Sequence, residues 1–390
     1  MALFGKKNSN YISSKETKRI SKENRRITGE IEKKRNRKHI PESEYLSTMK
    51  NPDNVVEFDN VHTYFFTDIG VVKAVDGVSF EVPQGKTVGI VGESGCGKSV
   101  TSLSLMQLVQ RPQGQTVEGE IRFNTGEKVY NIVNTPTSVM QTLRGNEMSM
   151  IFQEPMTSLN PVFRIGEQVD EIVALHNPSM SKEDVKRRTI EMLELVGIAN
   201  SEGVYRMYPH ELSGGMRQRI CIAIGLACSP RLIIADEPTT ALDVTIQAQI
   251  LDLMRSLKDK INSSIMLITH DLGVIASMCD EIIVMYGGRV CERGTADDIF
   301  YRPCHEYTKG LLRSIPRKDN MNERLVPIGG TPINLLNMPK GCAFCPRCEA
   351  AMKICLDEVP QEIRMSDTHL ASCWMNVKKM YEAQEENKNE

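Results

Sequence analysis

The sequence has no long hydrophobic run. Its longest uninterrupted apolar stretch, residues 220–228, is about half as long as the roughly 20 residues that a membrane-spanning helix requires. The first residues also lack the apolar core of a secretion signal. If the protein works at a membrane, we therefore expect other subunits to cross it.

The sequence also lacks a strong net charge and internal repeats. The 48 Lys and Arg residues nearly balance the 50 Asp and Glu residues, and the net charge of −2 gives no overall attraction to nucleic acid. Because no segment repeats, we expect one catalytic unit in this chain. With 390 residues, of which 40% are apolar, the chain can bury a sizeable core and hold two domains.

Positive charge is nevertheless concentrated near the N terminus. Residues 1–50 contain 14 Lys or Arg against 6 Asp or Glu, a net charge of +8, so the remaining residues carry −10. Few residues there could form a core, which predicts a basic, disordered extension over residues 1–53. Ile20, Ile27 and Ile31 could line a narrow helical stripe, and contact with a membrane surface or nucleic acid is the alternative role.

The sequence GESGCGKS, residues 92–99, is the most informative motif. An apolar strand pattern leads into it and a helical pattern follows it. The glycines let successive backbone N–H groups point inward, Lys98 adds a positive charge, and Ser99 offers a hydroxyl to Mg²⁺. This context predicts a loop that binds the phosphates of a nucleoside triphosphate. The residues expected to contact the nucleotide here are Gly92, Ser94, Gly95, Cys96, Gly97, Lys98, Ser99 and Val100.

Two carboxylates follow a second buried-strand pattern, residues 232–235. Asp236 is placed to hold Mg²⁺, directly or through water, and Glu237 is placed to polarise the water that attacks the γ-phosphate. Between the two motifs, the sequence LSGG, residues 212–215, precedes an apolar helical run. It predicts a second helix whose N-terminus can bind an anion.

The order of these motifs resembles that of an ATP-binding cassette (ABC) ATPase. Gln153 in IFQEP, Asp243 in ALD and His270 complete the set. The sequences QEPMTSLNP, LSGGMRQR and EPTTALDVTIQA are similar to those of the ATPase subunits of dipeptide and oligopeptide importers. The resemblance covers about residues 54–373. It implies an α/β fold, namely a P-loop NTPase core with a mainly parallel sheet, an antiparallel β-subdomain and a helical insertion.

The resemblance implies a role for several side chains around the nucleotide. Glu237 would be the catalytic base, Gln153 would reach Mg²⁺ and the attacking water, and His270 would contact the γ-phosphate. The Mg²⁺ ligands would be Ser99, Gln153 and Asp236. Phe65, in the aromatic cluster 64–66 upstream of the phosphate loop, would stack on the adenine, with core packing as the alternative.

The resemblance further implies that one subunit cannot complete a site. Residues of a facing subunit would close over the γ-phosphate, and Asp243 would lie at the dimer interface. The partners would be a second, different ABC ATPase, two multi-spanning permeases and, indirectly, an external peptide-binding protein; no nucleic acid is expected. The residues that would contact the facing subunit's nucleotide are Ser213, Gly214 and Gly215.

These patterns divide the chain into four parts. The extension 1–53 precedes a cassette over residues 54–300, whose helical subdomain spans about residues 154–228. A C-terminal region over residues 301–373 resembles that of peptide-importer ATPases, and residues 374–390 form a polar tail.

The C-terminal region is also rich in cysteine, since residues 342–373 hold five of the 11 cysteines. Disulfides are disfavoured in a cytosolic chain, which favours metal or cluster ligation. The spacing resembles the set that binds a [4Fe-4S] cluster in some peptide-importer ATPases, with Cys345 as an extra thiol. Zinc held by four thiolates and unligated thiols are alternatives. A C-x2-C-x2-C site formed by Cys342, Cys345 and Cys348 is a further alternative, but it leaves Cys373 unexplained. The expected cluster ligands are Cys342, Cys348, Cys355 and Cys373.

The sequence therefore predicts an ATP-hydrolysing subunit, peripheral on the cytoplasmic face of the cell membrane, that powers import of dipeptides or oligopeptides with ATP and Mg²⁺. An importer ATPase for nickel or an oligosaccharide is the nearest alternative. A soluble ABC protein that acts on ribosomes or DNA would fit the basic extension, and a redox-responsive regulator would fit the cysteines.

Overall fold

The computed structural model describes residues 13–37, 39–153, 158–240, 243–314 and 326–380. Parts of the predicted basic extension and polar tail, residues 1–12 and 381–390, lie outside these ranges, as do residues 154–157 of the predicted helical subdomain. Within the described ranges, no helix combines the length and apolarity that crossing a bilayer would require.

A four-stranded antiparallel sheet has the strand order β2-β1-β4-β5. Its members are β1 (Asn54–Thr67), β2 (Gly70–Pro83), β4 (Gly114–Asn124) and β5 (Val129–Asn131). Apolar residues of β1 and β2 alternate toward the core, where Phe58 stacks on Phe80 with ring centroids 4.4 Å apart. This sheet is the antiparallel subdomain that the sequence predicts.

A second sheet of eight strands has the order β11-β12-β10-β9-β3-β8-β7-β6. The five strands from β9 to β6 are parallel, whereas the C-terminal edge is antiparallel. Every residue of β3, β7 and β8 is buried, as expected for parallel strands covered on both faces. The members are β3 (Thr87–Val91), β6 (Met148–Ile151), β7 (Leu232–Asp236), β8 (Ser264–Ile268), β9 (Glu281–Tyr286), β10 (Arg289–Thr295), β11 (Ile363–Arg364) and β12 (Leu370–Ala371).

Helices cover this sheet and form the predicted helical insertion. That insertion comprises α4 to α7, and most of its buried apolar residues join the main core, whereas Val173 and Val185 form a small separate cluster with Ala227. Helix α1 (Ser14–Arg35) belongs to the N-terminal extension, and the helices of the cassette are α2 (Lys98–Leu105), α3 (Thr137–Leu143), α4 (Ile165–His176), α5 (Lys182–Leu195), α6 (Ser201–Tyr205), α7 (Gly214–Leu226), α8 (Val244–Ile261), α9 (Leu272–Met278) and α10 (Ala296–Tyr301).

The expectation of disorder is wrong for much of the basic extension. Helix α1 (Ser14–Arg35) begins at the N-cap Ser13 and packs against β1 and β4. Asn24 Nδ2 donates to Thr67 O over 2.8 Å, and Gln115 Nε2 donates to Glu32 Oε1 over 2.7 Å. The helix is therefore held largely by polar contacts, which a search for apolar core residues does not detect.

The C-terminal region continues the main sheet, because β12 pairs with β10. It contains α11 (Glu306–Arg313), a 3₁₀ turn (Cys345–Arg347) and α12 (Ile354–Asp357). The aromatic rings of Tyr286, Tyr307 and Phe344 pack together, with centroids between 4.7 and 5.3 Å apart. This region thus rests on the strand edge next to the phosphate loop rather than forming an isolated tail.

Candidate active site

The phosphate loop connects β3 to α2. Gly97, the residue before α2, has φ of 105°, and a Cβ there would approach Ala74 O to 2.3 Å. Only glycine tolerates both the left-handed backbone and this contact. Lys98 is buried, and its Nζ donates to Gly92 O at 2.8 Å and to Glu93 O at 3.1 Å. The loop therefore curls around its own lysine, as a phosphate-binding loop requires.

Two predicted Mg²⁺ ligands lie in direct contact. Ser99 Oγ, in the first turn of α2, donates to Asp236 Oδ1 at the end of β7 over 3.1 Å. Burial raises the pKa of Asp236, and the charge of Glu237 adds to this, while the hydrogen bond from Ser99 opposes it. A buried carboxylate beside a serine hydroxyl and a second carboxylate is a fitting site for a divalent cation.

The predicted catalytic residues converge on Glu237. Gln153 Nε2 donates to Glu237 Oε2 over 2.9 Å, and His270 Nδ1 lies 3.2 Å from Oε1. Thr240 Oγ1 donates to the same Oε2 over 3.0 Å, a contact that the motifs did not predict. Its position three residues after Glu237 is the sequence signal that could have revealed it. Four polar side chains thus surround the point where an attacking water would be activated.

The adjacency of these residues follows from the strand order. Strands β6, β7 and β8 are parallel neighbours, so their carboxyl ends lie at one edge of the sheet. Gln153, Glu237 and His270 each come one or two residues after one of these strands. The fold therefore brings together three side chains that the sequence separates by more than 30 residues.

The LSGG residues begin α7. Ser213 is the N-cap and accepts a hydrogen bond from Met216 N, while a Cβ at Gly214 would meet no atom within 4 Å. A Cβ on Gly215 would lie 3.2 Å from Ile246 in the first turn of α8, whose N-cap is Asp243. These two helix starts therefore lie side by side, and Ser213, Gly214 and Asp243 are exposed.

The structure separates the roles of the three residues in the aromatic cluster 64–66 of β1. Tyr64 Oη donates to Asp76 Oδ1 over 2.6 Å, and Phe66 is buried, whereas Phe65 is half-buried. Gly114 on β4 lies opposite Phe65, and a Cβ there would come within 2.9 Å of the Phe65 ring. Phe65 remains the residue predicted to stack on adenine.

The C-terminal cysteines share one neighbourhood. Cys342 N donates to Cys355 O over 2.9 Å. Burial raises the pKa of Cys342 to about 11, with contributions from Cys355 and Cys373. Burial likewise raises the pKa of Cys348 to about 11, with contributions from Cys373 and Cys342. Cys373 thus lies close enough to influence the pKa of both Cys342 and Cys348, and Cys355 lies close enough to influence that of Cys342.

A different group has the tightest metal-like spacing within the described ranges, namely Glu292, Cys304 and His369. Its ligand atoms lie within 4.8 Å of one another. His369 Nε2 donates to Glu292 Oε1 over 2.7 Å, and its Nδ1 lies 3.9 Å from Cys304 Sγ. Sequence reasoning missed this group because its members lie up to 77 residues apart.

This geometry defines the class of the protein as an ABC ATPase. The family model "ABC transporter" matches residues 75–240, and the model "Oligopeptide/dipeptide transporter, C-terminal region" matches residues 291–355. A dimeric ATP-binding cassette with bound ADP and phosphate has the same fold, with a TM-score of 0.55 and 26% sequence identity. The match covers 62% of this chain and 98% of that one.

Curated relatives refine the assignment. The oligopeptide transport ATP-binding protein AppD of Bacillus subtilis is 49% identical over 321 residues, 82% of this chain and 96% of AppD. The dipeptide transport ATP-binding protein DppD of Lactococcus lactis is 50% identical over 83% of this chain and 91% of its own length. The oligopeptide transport ATP-binding protein OppD of Salmonella typhimurium is 46% identical over 87% of this chain and 99% of its own length. The chain belongs to this family of peptide-transport ATP-binding proteins, and these relatives give no support to the alternative functions.

Proposed function

We propose that this chain hydrolyses ATP to power the uptake of dipeptides or oligopeptides through a membrane importer. One observation carries the proposal, namely the convergence of Gln153, His270 and Thr240 on Glu237 beside the Ser99–Asp236 pair. It is the arrangement that in-line attack of water on a γ-phosphate requires. The peptide-transport relatives indicate what the hydrolysis drives.

The chain's own residues supply binding and orientation. Lys98 and the backbone N–H groups of the loop contact the phosphates, and Phe65 stacks on the adenine. Ser99, Asp236 and Gln153 would hold Mg²⁺, which would supply positive charge beside the phosphate oxygens. Glu237 accepts a hydrogen bond from the attacking water and orients it.

His270 contacts the γ-phosphate, while its Nδ1 keeps the Glu237 carboxylate in place. A second cassette completes each site. The exposed Ser213 and Gly214, with Gly215, contact the γ-phosphate of the facing subunit, and Asp243 lies at that interface. Hydrolysis cleaves the bond between the β- and γ-phosphates, and release of the resulting phosphate removes the group that both cassettes contact. The pair then reopens and the transporter changes state.

The partners that we propose are a second, different ABC ATPase and two permeases that cross the membrane. An external peptide-binding protein acts through the permeases. The chain then lies peripherally on the cytoplasmic face of the membrane, in keeping with its peptide-transport relatives.

The cysteine-rich segment suits a [4Fe-4S] cluster held by Cys342, Cys348, Cys355 and Cys373. Four thiols in one neighbourhood are the donor set that such a cluster requires. Tetrahedral zinc would draw its four sulfurs to about 3.8 Å from one another. Zinc held by the same four thiolates is the alternative, and metal analysis distinguishes the two. The cluster would cross-link a segment with little apolar core of its own, since Ile354, Leu356, Val359 and Met365 are exposed.

Purification of the chain with its partners in mild detergent tests the proposed function. We expect two multi-spanning proteins and a second cassette, and ATP hydrolysis that responds to peptide in the reconstituted complex. Replacing Glu237 by Gln should abolish this response, whereas Asp259→Asn, at a carboxylate that is 73% exposed on α8, should preserve it. Recovery of ribosomal proteins without permeases would contradict the importer function.

A further inference from the structure

The C-terminal region contacts the phosphate loop through the buried side chain of an arginine. Arg347 ends the 3₁₀ turn Cys345–Arg347, and its side chain is 4% exposed. Its Nη1 donates to Glu93 Oε2 over 2.6 Å, and its Nη2 donates to Glu93 Oε1 over 3.0 Å. Glu93 is the second residue of the phosphate loop, 254 residues earlier in the chain. Such a bidentate contact fixes the orientation as well as the position of the guanidinium and carboxylate groups.

The guanidinium group of Arg347 is held from several sides. Nε donates to Gly329 O over 2.9 Å, and Nη1 lies 3.3 Å from Tyr286 Oη. The group also lies 5.7 Å from the ring of Tyr286 and 5.9 Å from that of Phe344. The hydrogen bonds to Glu93 raise the pKa of Arg347, so it stays charged. Its position is therefore fixed jointly by the C-terminal region, through Gly329 and Phe344, and by Tyr286 at the end of β9.

A second residue of the same region contacts the loop backbone. Glu93 N donates to Tyr307 Oη over 2.8 Å, and Tyr307 is fully buried. Glu93 O accepts from Lys98 Nζ. Three groups of this one loop residue are thus hydrogen-bonded. Arg347 binds the carboxylate, Tyr307 binds the N–H, and Lys98 binds the carbonyl oxygen. Displacement of the C-terminal region would release two of the three contacts beside the lysine that binds phosphate.

We propose that Arg347 and Tyr307 are positioning residues that hold the phosphate loop in its nucleotide-binding shape, which couples the cysteine-rich segment to ATP affinity. This inference rests on the proposed function only in that the chain must bind ATP. Because coupling between two sites is reciprocal, ATP binding must also stabilise the segment that carries Arg347.

Nucleotide affinity of the full chain tests the inference. Glu93→Gln and Arg347→Met should each weaken ATP binding about 10- to 100-fold, the scale expected when a binding group shifts by about 1 Å. The double variant should bind ATP no more weakly than either single variant, because both remove the same contact. Arg347→Lys should recover part of the affinity, since lysine keeps the positive charge but cannot form the two parallel hydrogen bonds to the Glu93 carboxylate. Arg313→Met, which removes an exposed partner of Glu349, is the matched control and should bind ATP normally.

Hydrogen exchange distinguishes the proposed coupling from a purely structural role of Arg347, because a structural role alone would not make exchange in the cysteine-rich segment depend on ATP. ATP should slow exchange in residues 342–355 of the wild type and should not do so in Glu93→Gln. Unchanged ATP affinity in both single variants, or additive losses in the double variant, would overturn the inference. Hydrogen exchange in residues 342–355 of the wild type that does not change when ATP is added would also overturn the inference. A wild-type chain that fails to bind ATP would instead contradict the proposed function.

Discussion

Replacing His369 by Gln should destabilise the protein near pH 6 and have little effect above about pH 9. His369 Nε2 donates to Glu292 Oε1, and the two side chains are 4% and 0% exposed. Burial alone would lower the pKa of His369, but hydrogen bonds and charges from Cys304 and Glu292 outweigh it and raise that pKa to about 9. The folded protein therefore keeps a positive imidazolium beside a buried carboxylate.

The size and sign of the effect follow from linkage. The pKa of His369 rises from 6.5 to about 9 on folding, which at 1.36 kcal/mol per pH unit corresponds to about 3 kcal/mol. Because the folded-state pKa is the higher one, this stabilisation is complete below pH 6.5. It declines as the pH rises toward 9 and is lost above that value.

Urea unfolding of the wild type and of His369→Gln at about pH 6 and about pH 9.5 measures the effect. The difference in free energy of unfolding should be about 3 kcal/mol at the lower pH and close to zero at the higher one. His39→Gln, at an exposed histidine of the N-terminal segment, is the control and should leave the profile unchanged. An equal loss at both pH values would refute the ion-pair reasoning and leave only a packing role for His369.

Three further predictions concern the nucleotide and cysteine sites. Glu237→Gln should retain ATP affinity while hydrolysis falls roughly 10²- to 10⁴-fold, whereas Lys98→Ala should lose nucleotide binding in a fluorescent-ATP titration; near-normal turnover in Glu237→Gln would exclude that base. Ser213→Ala should reduce hydrolysis by the assembled complex without weakening ATP binding to the isolated chain, and equal losses in both would argue against action on the facing subunit's nucleotide. Anaerobically purified protein should contain about four iron atoms per chain. Cys348→Ser should lose this iron and Cys345→Ser should keep it; stoichiometric zinc without iron would overturn the cluster assignment.

Parts of the site could be predicted because their chemistry is local in sequence. A loop that must present several N–H groups to phosphate needs glycines at fixed spacing, and the strand before it is visibly apolar. Ser99 and Asp236 each follow from such a strand-and-loop pattern, and the structure brings them to 3.1 Å. The helical insertion and both sheets likewise follow from the resemblance to ABC ATPases.

The remaining features depend on contacts between distant segments. No local pattern pairs Arg347 with Glu93 or His369 with Glu292, because each pair forms only when the C-terminal region lies on the sheet edge. Helix α1 was anticipated only as the alternative, through the narrow stripe of Ile20, Ile27 and Ile31. These three side chains are half-buried, whereas the most buried residues of the helix are Asn24 and Thr28, so its apolar pattern is weak.

Glu237, the proposed catalytic carboxylate, shows how local strain and tertiary contacts act together. Glu237 has φ of 48°, a left-handed conformation that costs a non-glycine residue about 1–3 kcal/mol. Its N–H donates to Ile268 O at the end of β8 over 2.8 Å, and Thr240 holds its side chain. Glycine would relieve the strain, but it would remove the carboxylate that Gln153 and His270 contact. The sequence therefore keeps a strained glutamate at this position, because the turn that strains the backbone also aims its carboxylate at Gln153 and His270.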